Sequence, residues 1–126
     1  MNEIIKNLPV IPLIDMVFLP GMIAHFDIKN KSMIKAVNDA ISSGQEVFLL
    51  YQKNPEVDKP QENDLKKVGT IAKILQIIKL PGGITRVMSE GVAKGTVSEY
   101  IQYEPFIVAK VSQPSDNSIN EISELE

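Results

Sequence analysis

His25 is the only imidazole in this 126-residue chain, and Arg86 is its only guanidinium. A histidine acts as a general base when a nucleophile or substrate is held beside it. The sequence has no Gly-x-Ser-x-Gly turn to present a serine. Set between Ala24 and Phe26 on an expected strand, His25 reads as a half-buried structural residue. The chain has no cysteine, which excludes disulfides, thiolate metal sites and a cysteine nucleophile. A metal site needs clustered His, Asp or Glu. The acids Glu56, Asp58, Glu62 and Asp64 share one loop, but the glycine-centred pattern of a calcium loop is missing. No Gly-x-x-x-x-Gly-Lys-Ser/Thr phosphate loop occurs. Gly82 and Gly83 could be mistaken for a phosphate cradle, but they join two strands and open no helix. No catalytic, cofactor-binding or metal-binding residue is assigned.

The remaining candidate is apolar. Met16, Phe18, Leu19 and Met22 surround the Pro20-Gly21 turn. An apolar cluster at a turn can be an exposed binding patch, and methionine suits adaptable contacts. The competing reading is that these four side chains plug one end of the core. They are carried forward as candidate substrate- or partner-binding residues.

Charge narrows the partners. The chain sums to −3, from 16 acidic and 13 basic residues. Residues 115–126 hold Asp116, Glu121, Glu124 and Glu126 and no base, leaving twelve acids against thirteen bases before them. Twelve of the bases are lysine, whereas arginine is the usual bidentate reader of phosphates and base edges. No nucleic-acid partner is expected. No apolar run approaches the roughly 18 residues that span a bilayer, and no membrane partner is expected. The first residues lack a basic segment followed by an apolar one, so no signal peptide is expected, and a cytoplasmic location is the default.

The elements that position these residues are mostly strands. Residues 8–14 read as a strand that Pro9 and Pro12 mark as irregular or at a sheet edge. Residues 22–28 form a second, with Ile23 and His25 on one face and Met22, Ala24 and Phe26 on the other. Residues 31–43 are the one clear helix, capped by Asn30 and ended before Gly44, with Met33, Ile34, Val37, Ala40 and Ile41 as its apolar stripe. A strand over 46–51 leads into a polar loop, 52–65. Residues 67–80 form a long strand that is apolar on both faces, as in a closed or half-closed barrel. Gly82 and Gly83 supply positive φ for a tight hairpin, and 84–88 return. Gly91 and Gly95 suggest a bulge or sharp bend. Residues 96–103 and 106–111 are the last strands. Residues 1–114 form one domain. Residues 115–126 form a flexible acidic tail, with Ile119, Ile122 and Leu125 at the spacing of a starting helix.

Several of these blocks occur in an order that resembles the N-terminal, substrate-recognition domain of the ATP-dependent Lon protease family. Ile11–Asp15 and Phe18–Met22 match its opening, Ser32–Ile41 its helix, and Val47–Lys53 the strand ending in Gln-Lys. Asp58–Pro60, Asp64-Leu65 and Val68–Thr70 follow, then Leu80-Pro81, Gly83, Val87 and Glu90-Gly91. The resemblance covers about residues 8–112. Ile14 stands where the family usually has Arg, and Gly82 where Asp is common.

The resemblance implies a mainly β fold with one main helix, a PUA-like, partly closed β-barrel. It implies a non-catalytic role in protein quality control: recognition of unfolded or damaged protein substrates, and self-association within a homo-hexamer. No cofactor is implied for this chain; ATP and Mg²⁺ belong to the ATPase module of the parent serine endopeptidase. The acidic tail would be the start of a truncated helical region. Two alternatives stay open: a stand-alone Lon-domain binding protein without protease activity, and a PUA-like RNA-binding module, which the charge disfavours.

Overall fold

The computed structural model describes residues 3–14, 16–53, 56–57 and 60–114. The expected tail, 115–126, and Asp58 lie outside the described residues. In chain order the elements are β1 Glu3–Leu13, β2 Ile23–Ile28, α1 Lys31–Ser42, β3 Glu46–Tyr51, β4 Val68–Leu80, β5 Ile84–Gln102 and β6 Val108–Pro114. A short 3₁₀ turn spans Glu62–Asp64.

The strands form one sheet in the order β2-β5-β4-β3-β1-β6, closed by a further pairing of β5 with β6. The long β5 makes this possible. One of its edges pairs with β4 from Ile84 to Thr96. Its other edge is shared: Thr85–Glu90 pair with β2, and Thr96–Gln102 pair with β6. β1, β3, β4, β5 and β6 therefore make a ring closed along only half of β5, and β2 hangs outside it. This is the mainly β, partly closed barrel with one helix that the resemblance implied.

The ring wall is apolar on both faces because it separates two cores. Leu8, Val10, Phe48, Leu50, Ala109 and Val111 point into the ring. Ile11, Leu13, Val47 and Leu49 point the other way, towards Ala36, Val37 and Ala40 of α1 and Phe26 and Ile28 of β2. Strand side chains alternate between faces, so a strand buried on both reads as an unbroken apolar run such as Val47–Leu50. Each fully buried aliphatic or aromatic side chain contributes about 1.5–3 kcal/mol. α1 carries the chain between β2 and β3, and so completes the crossover that parallel strands such as β1 and β3 require.

α1 starts where Asn30 Oδ1 accepts from the Ser32 and Met33 amides, at 2.7 and 3.2 Å. Its buried face is Ala36, Val37 and Ala40, whereas Ile41 of the expected stripe is exposed and Met33 and Ile34 are half-buried. The small Ala36 and Ala40 let the helix sit close to β1 and β3.

Three other expectations need correction. β1 is not an edge strand: Glu3–Pro9 pair with β6, and Val10–Leu13 with β3. The Val10 amide reaches towards β6, to the Ile107 carbonyl at 2.8 Å. By alternation Pro12 points to that same side, beyond the end of the β6 ladder, and Pro9 points towards β3, before that ladder begins. Each proline thus lacks an N–H only where no partner waits. The expected strands at 84–88 and 96–103 are one 19-residue strand. A bulge does fall beside Gly91, because Ala72 pairs with Gly91 and Ile71 with Ala93, leaving Val92 over. Lastly, β4 is buried on both faces only near Thr70–Ala72; Leu75 and Ile78 beyond are exposed.

Candidate functional site

The segment before β2 is pinned from both ends. Gly21 takes φ +87°, which glycine adopts without the Cβ penalty. The Met22 amide donates to the Leu19 carbonyl at 3.1 Å and closes the turn. Gly21 N–H donates to the Gly91 carbonyl, and Gly91 N–H to the Met22 carbonyl, both at 2.8 Å. The Thr70 hydroxyl donates to the Phe18 carbonyl. A Cβ at Gly91 would lie 2.2 Å from the Leu19 carbonyl oxygen, so only glycine lets the turn settle on β5.

This docking sorts the four candidate residues. Phe18 is buried, edge-to-face with Phe26 at a centroid distance of 6.4 Å. It is a core residue, and as a surface contact it is a correction to the sequence reading: its ring packs in the core between the sheet wall and α1. Met16 and Met22 are half-buried against the same core. Leu19 faces solvent at 58% exposure. The structure adds two apolar neighbours that the sequence reading did not select, Val17 at 62% and Ile23 at 61%. A usable signal existed for Ile23, because it shares a face with the polar His25. Val92, the bulge residue of β5, is also exposed.

β2 pairs with β5 alone, so its other edge has no strand partner. Its solvent face carries Ile23, His25 and Asp27 opposite Glu90, Met88 and Arg86 of β5. His25 is exposed, not half-buried as expected, because that face of the outlying strand is uncovered. Arg86 donates to Asp27 through Nε at 2.9 Å and Nη2 at 3.1 Å, a bidentate exposed pair. That hydrogen bond holds the Asp27 carboxyl below its ordinary value. Among the described residues no three His, Asp or Glu side chains come together as a metal site. Nor is any described helix long and apolar enough to cross a membrane.

At the far end of the ring, Tyr100 and Tyr103 stack at 5.4 Å with an interplanar angle of 11°. Burial, then the Tyr103 and Glu62 charges, push the Tyr100 hydroxyl up to about 12. Inside the 52–65 loop the buried Gln52 donates through Nε2 to the Val57 carbonyl at 2.9 Å. Gln52 and Leu65 form a bridge that closes the loop at its neck.

This arrangement offers an apolar rim, an unpaired strand edge and an exposed ion pair. Residues 7–126 match the family described as the ATP-dependent protease La (LON) substrate-binding domain. The chain is 40% identical over 116 residues to the Lon protease of Clostridium acetobutylicum, covering 92% of this chain and 15% of that protein. It is 40% identical over 125 residues to the Lon protease of Clostridioides difficile, covering 99% of this chain and 16% of that protein. The chain thus spans about 15% of the length of the curated relatives it matches. Its fold is that of the N-terminal domain of Mycobacterium avium complex Lon protease, with a TM-score of 0.66, 22% identity, and coverage of 87% of this chain and 54% of that one. The Lon N-terminal domain protein from Xanthomonas campestris superposes with a TM-score of 0.67 at 18% identity, covering 87% of this chain and 60% of that one. Because that match runs over residues 7–126, the chain belongs to the Lon substrate-binding domain family.

Proposed function

We propose that this chain is the part of a Lon-type ATP-dependent protease that engages protein substrates, and that it holds exposed apolar stretches of unfolded or damaged proteins. The observation that carries the reading is the cluster of exposed Val17, Leu19 and Ile23 beside the unpaired edge of β2. Unfolded clients offer apolar side chains and unpaired backbone, and an open strand edge accepts both. In this reading the chain also contributes to homo-hexamer assembly, whereas ATP hydrolysis and peptide cleavage belong to the rest of the protein. The chain by itself is expected to hydrolyse neither ATP nor casein, having neither a phosphate loop nor a nucleophile–base pair.

The test is the double substitution Leu19→Ser with Ile23→Ser. Both side chains are exposed, so the melting temperature should stay close to that of the unaltered chain. Binding of a labelled, permanently unfolded protein, followed by fluorescence anisotropy, should weaken by roughly tenfold or more, each side chain being worth about 1 kcal/mol. Unchanged affinity with an intact fold would remove this surface from the substrate site.

A further inference from the structure

Two hollows meet around the start of α1. The first, of about 330 Å³, opens between the first turn of α1, the Pro60-Gln61 segment and the Tyr103–Ile107 loop. The second, also about 330 Å³, lies between the end of β1 and Phe26–Ile28 of β2. Pro12, Asn30 and Met33 line both, so the two adjoin. No β5 residue lines the second, which places it on the side of β2 away from its only partner. Apolar side chains stand in both, Val10, Pro105 and Ile107 in one and Leu13, Met16 and Phe26 in the other, beside the polar Asn30, Ser32 and Gln61 of the first. Each hollow is large enough for a side chain or two.

The charges around this trough lean positive, three lysines against two acids. Lys31 and Lys35 line the first hollow and Lys29 the second. Among the described residues none of the three has an ion-pair partner. Against them stand Glu104 in the first hollow and Asp27 in the second, and Asp27 is already engaged by Arg86. Helix stability does not explain these lysines. α1 has no acidic residue in its first turn, where Lys31 sits against the helix dipole. A local rule broken beside a cavity is where a binding role is expected.

We propose that this trough takes an extended peptide segment in which apolar residues alternate with acidic ones, and that it discriminates against basic segments. The inference rests on the reading that the domain engages protein substrates, and names the class it prefers. An extended segment turns alternate side chains to opposite sides. Apolar side chains on one side fill the hollows, and the long side chains of Lys29, Lys31 and Lys35 extend past them to the carboxylates in between. The whole chain is net negative, so its mean field would favour a basic peptide. A preference for an acidic one has to come from the lysines at the trough.

The experiment uses the 126-residue chain and three labelled peptides of equal length, each with leucine and valine at alternate positions. The intervening positions are Glu, Gln or Lys. Anisotropy titrations should give the order Glu, Gln, Lys, with about tenfold between the first and last at low ionic strength, shrinking as salt is added. The double variant Lys31→Glu with Lys35→Glu should reverse the order. It should also melt no lower than the unaltered chain, because Lys31→Glu puts an acid in the first helical turn and Lys35 is exposed. The pair Lys66→Glu with Lys94→Glu makes the same change in net charge outside the trough and should keep the order. Equal affinity for all three peptides would overturn the charge preference and leave the substrate-binding reading standing. Failure to bind any of them would overturn both. Reversal by the Lys66 and Lys94 pair as well would assign the preference to net charge and overturn the trough.

Discussion

The closed ring and the open flank share the wall made by β1, β3 and the first half of β4, yet they dispose of their edges and apolar side chains in different ways. Inside the ring, Phe48, Leu50, Ile71 and Val111 are completely buried. On the flank, β2 has one partner, Ile41 of α1 is exposed, and Val17, Leu19 and Ile23 stand in solvent. An edge that is paired cannot recruit another chain, and one that is open can. The comparison places the closed core in the ring and the open strand edge in the flank, joined through a wall that serves both cores.

The largest effects should come from the two cores, and they should differ in reach. Phe48→Ala empties the middle of the ring and should cost about 3–5 kcal/mol in a denaturant melt. Val37→Asp places an unpaired charge between α1 and the wall, and several kcal/mol of destabilisation is expected there too. Hydrogen exchange separates the two. With Val37→Asp, amides of α1 and β2 should lose protection before those of Ala109 and Val111 in β6; with Phe48→Ala, both regions should lose it together. Equal loss in β6 for both variants would show the flank and ring to be one cooperative unit.

A smaller effect is expected at two glycines of β5, one at the joint with the flank and one in the ring. A Cβ at Gly91 meets a backbone atom, the Leu19 carbonyl oxygen, at 2.2 Å. A Cβ at Gly95 meets side-chain atoms, Val111 Cγ1 at 2.7 Å and Phe48 Cε1 at 3.0 Å. Side chains can give way more easily than a turn held by backbone hydrogen bonds. Gly91→Ala should therefore cost about 2–3 kcal/mol and Gly95→Ala about 1–2 kcal/mol. Thermal melts of the two variants check the order, and the reverse order would mean that the turn is looser than its hydrogen bonds imply.

What could be read in the sequence was what is decided locally. Asn30 and Gly44 bracket α1 because capping involves only neighbouring residues. Gly82 and Gly83 mark the hairpin because both take positive φ. The parts missed were decided by residues far away in the chain. β5 runs unbroken through Gly91 and Gly95 because those glycines make room for Leu19, Val111 and Phe48. Pro9 and Pro12 suggested an edge, and only the division of β1 between β6 and β3 shows why they are tolerated. Phe18 and Leu19 are equally apolar neighbours; the bond from Thr70, 52 residues on, accompanies the burial of one and the exposure of the other. The three lysines around the trough are scattered as Lys29, Lys31 and Lys35, and their bearing on a cavity needed Pro105 and Ile107 brought beside α1.

The smallest effects expected are those of pH, and they divide along the same line. In the ring, the Tyr100 hydroxyl is pushed from an ordinary value of 10.0 up to about 12. A group whose value rises on folding stabilises fully below its unfolded value, and that contribution is lost as pH rises from about 10 towards 12. Tyr100→Phe should flatten this alkaline decline in urea melts. On the flank the sign is opposite. The hydrogen bond from Arg86 lowers the Asp27 carboxyl from its ordinary 3.8, the Arg86 and His25 charges act in the same direction, and partial desolvation works against them. The contribution is present above that ordinary value and is lost as pH falls below it, through the lowered value. The pair is exposed and screened, so the effect should be slight and should fade with added salt. Asp27→Asn should leave stability at neutral pH nearly unchanged and make the acid limb of the stability curve shallower, while the alkaline limb stays as it was. If Asp27→Asn flattened the alkaline limb as well, the two regions would not titrate independently, and the separation of ring from flank would fail at the level of charge.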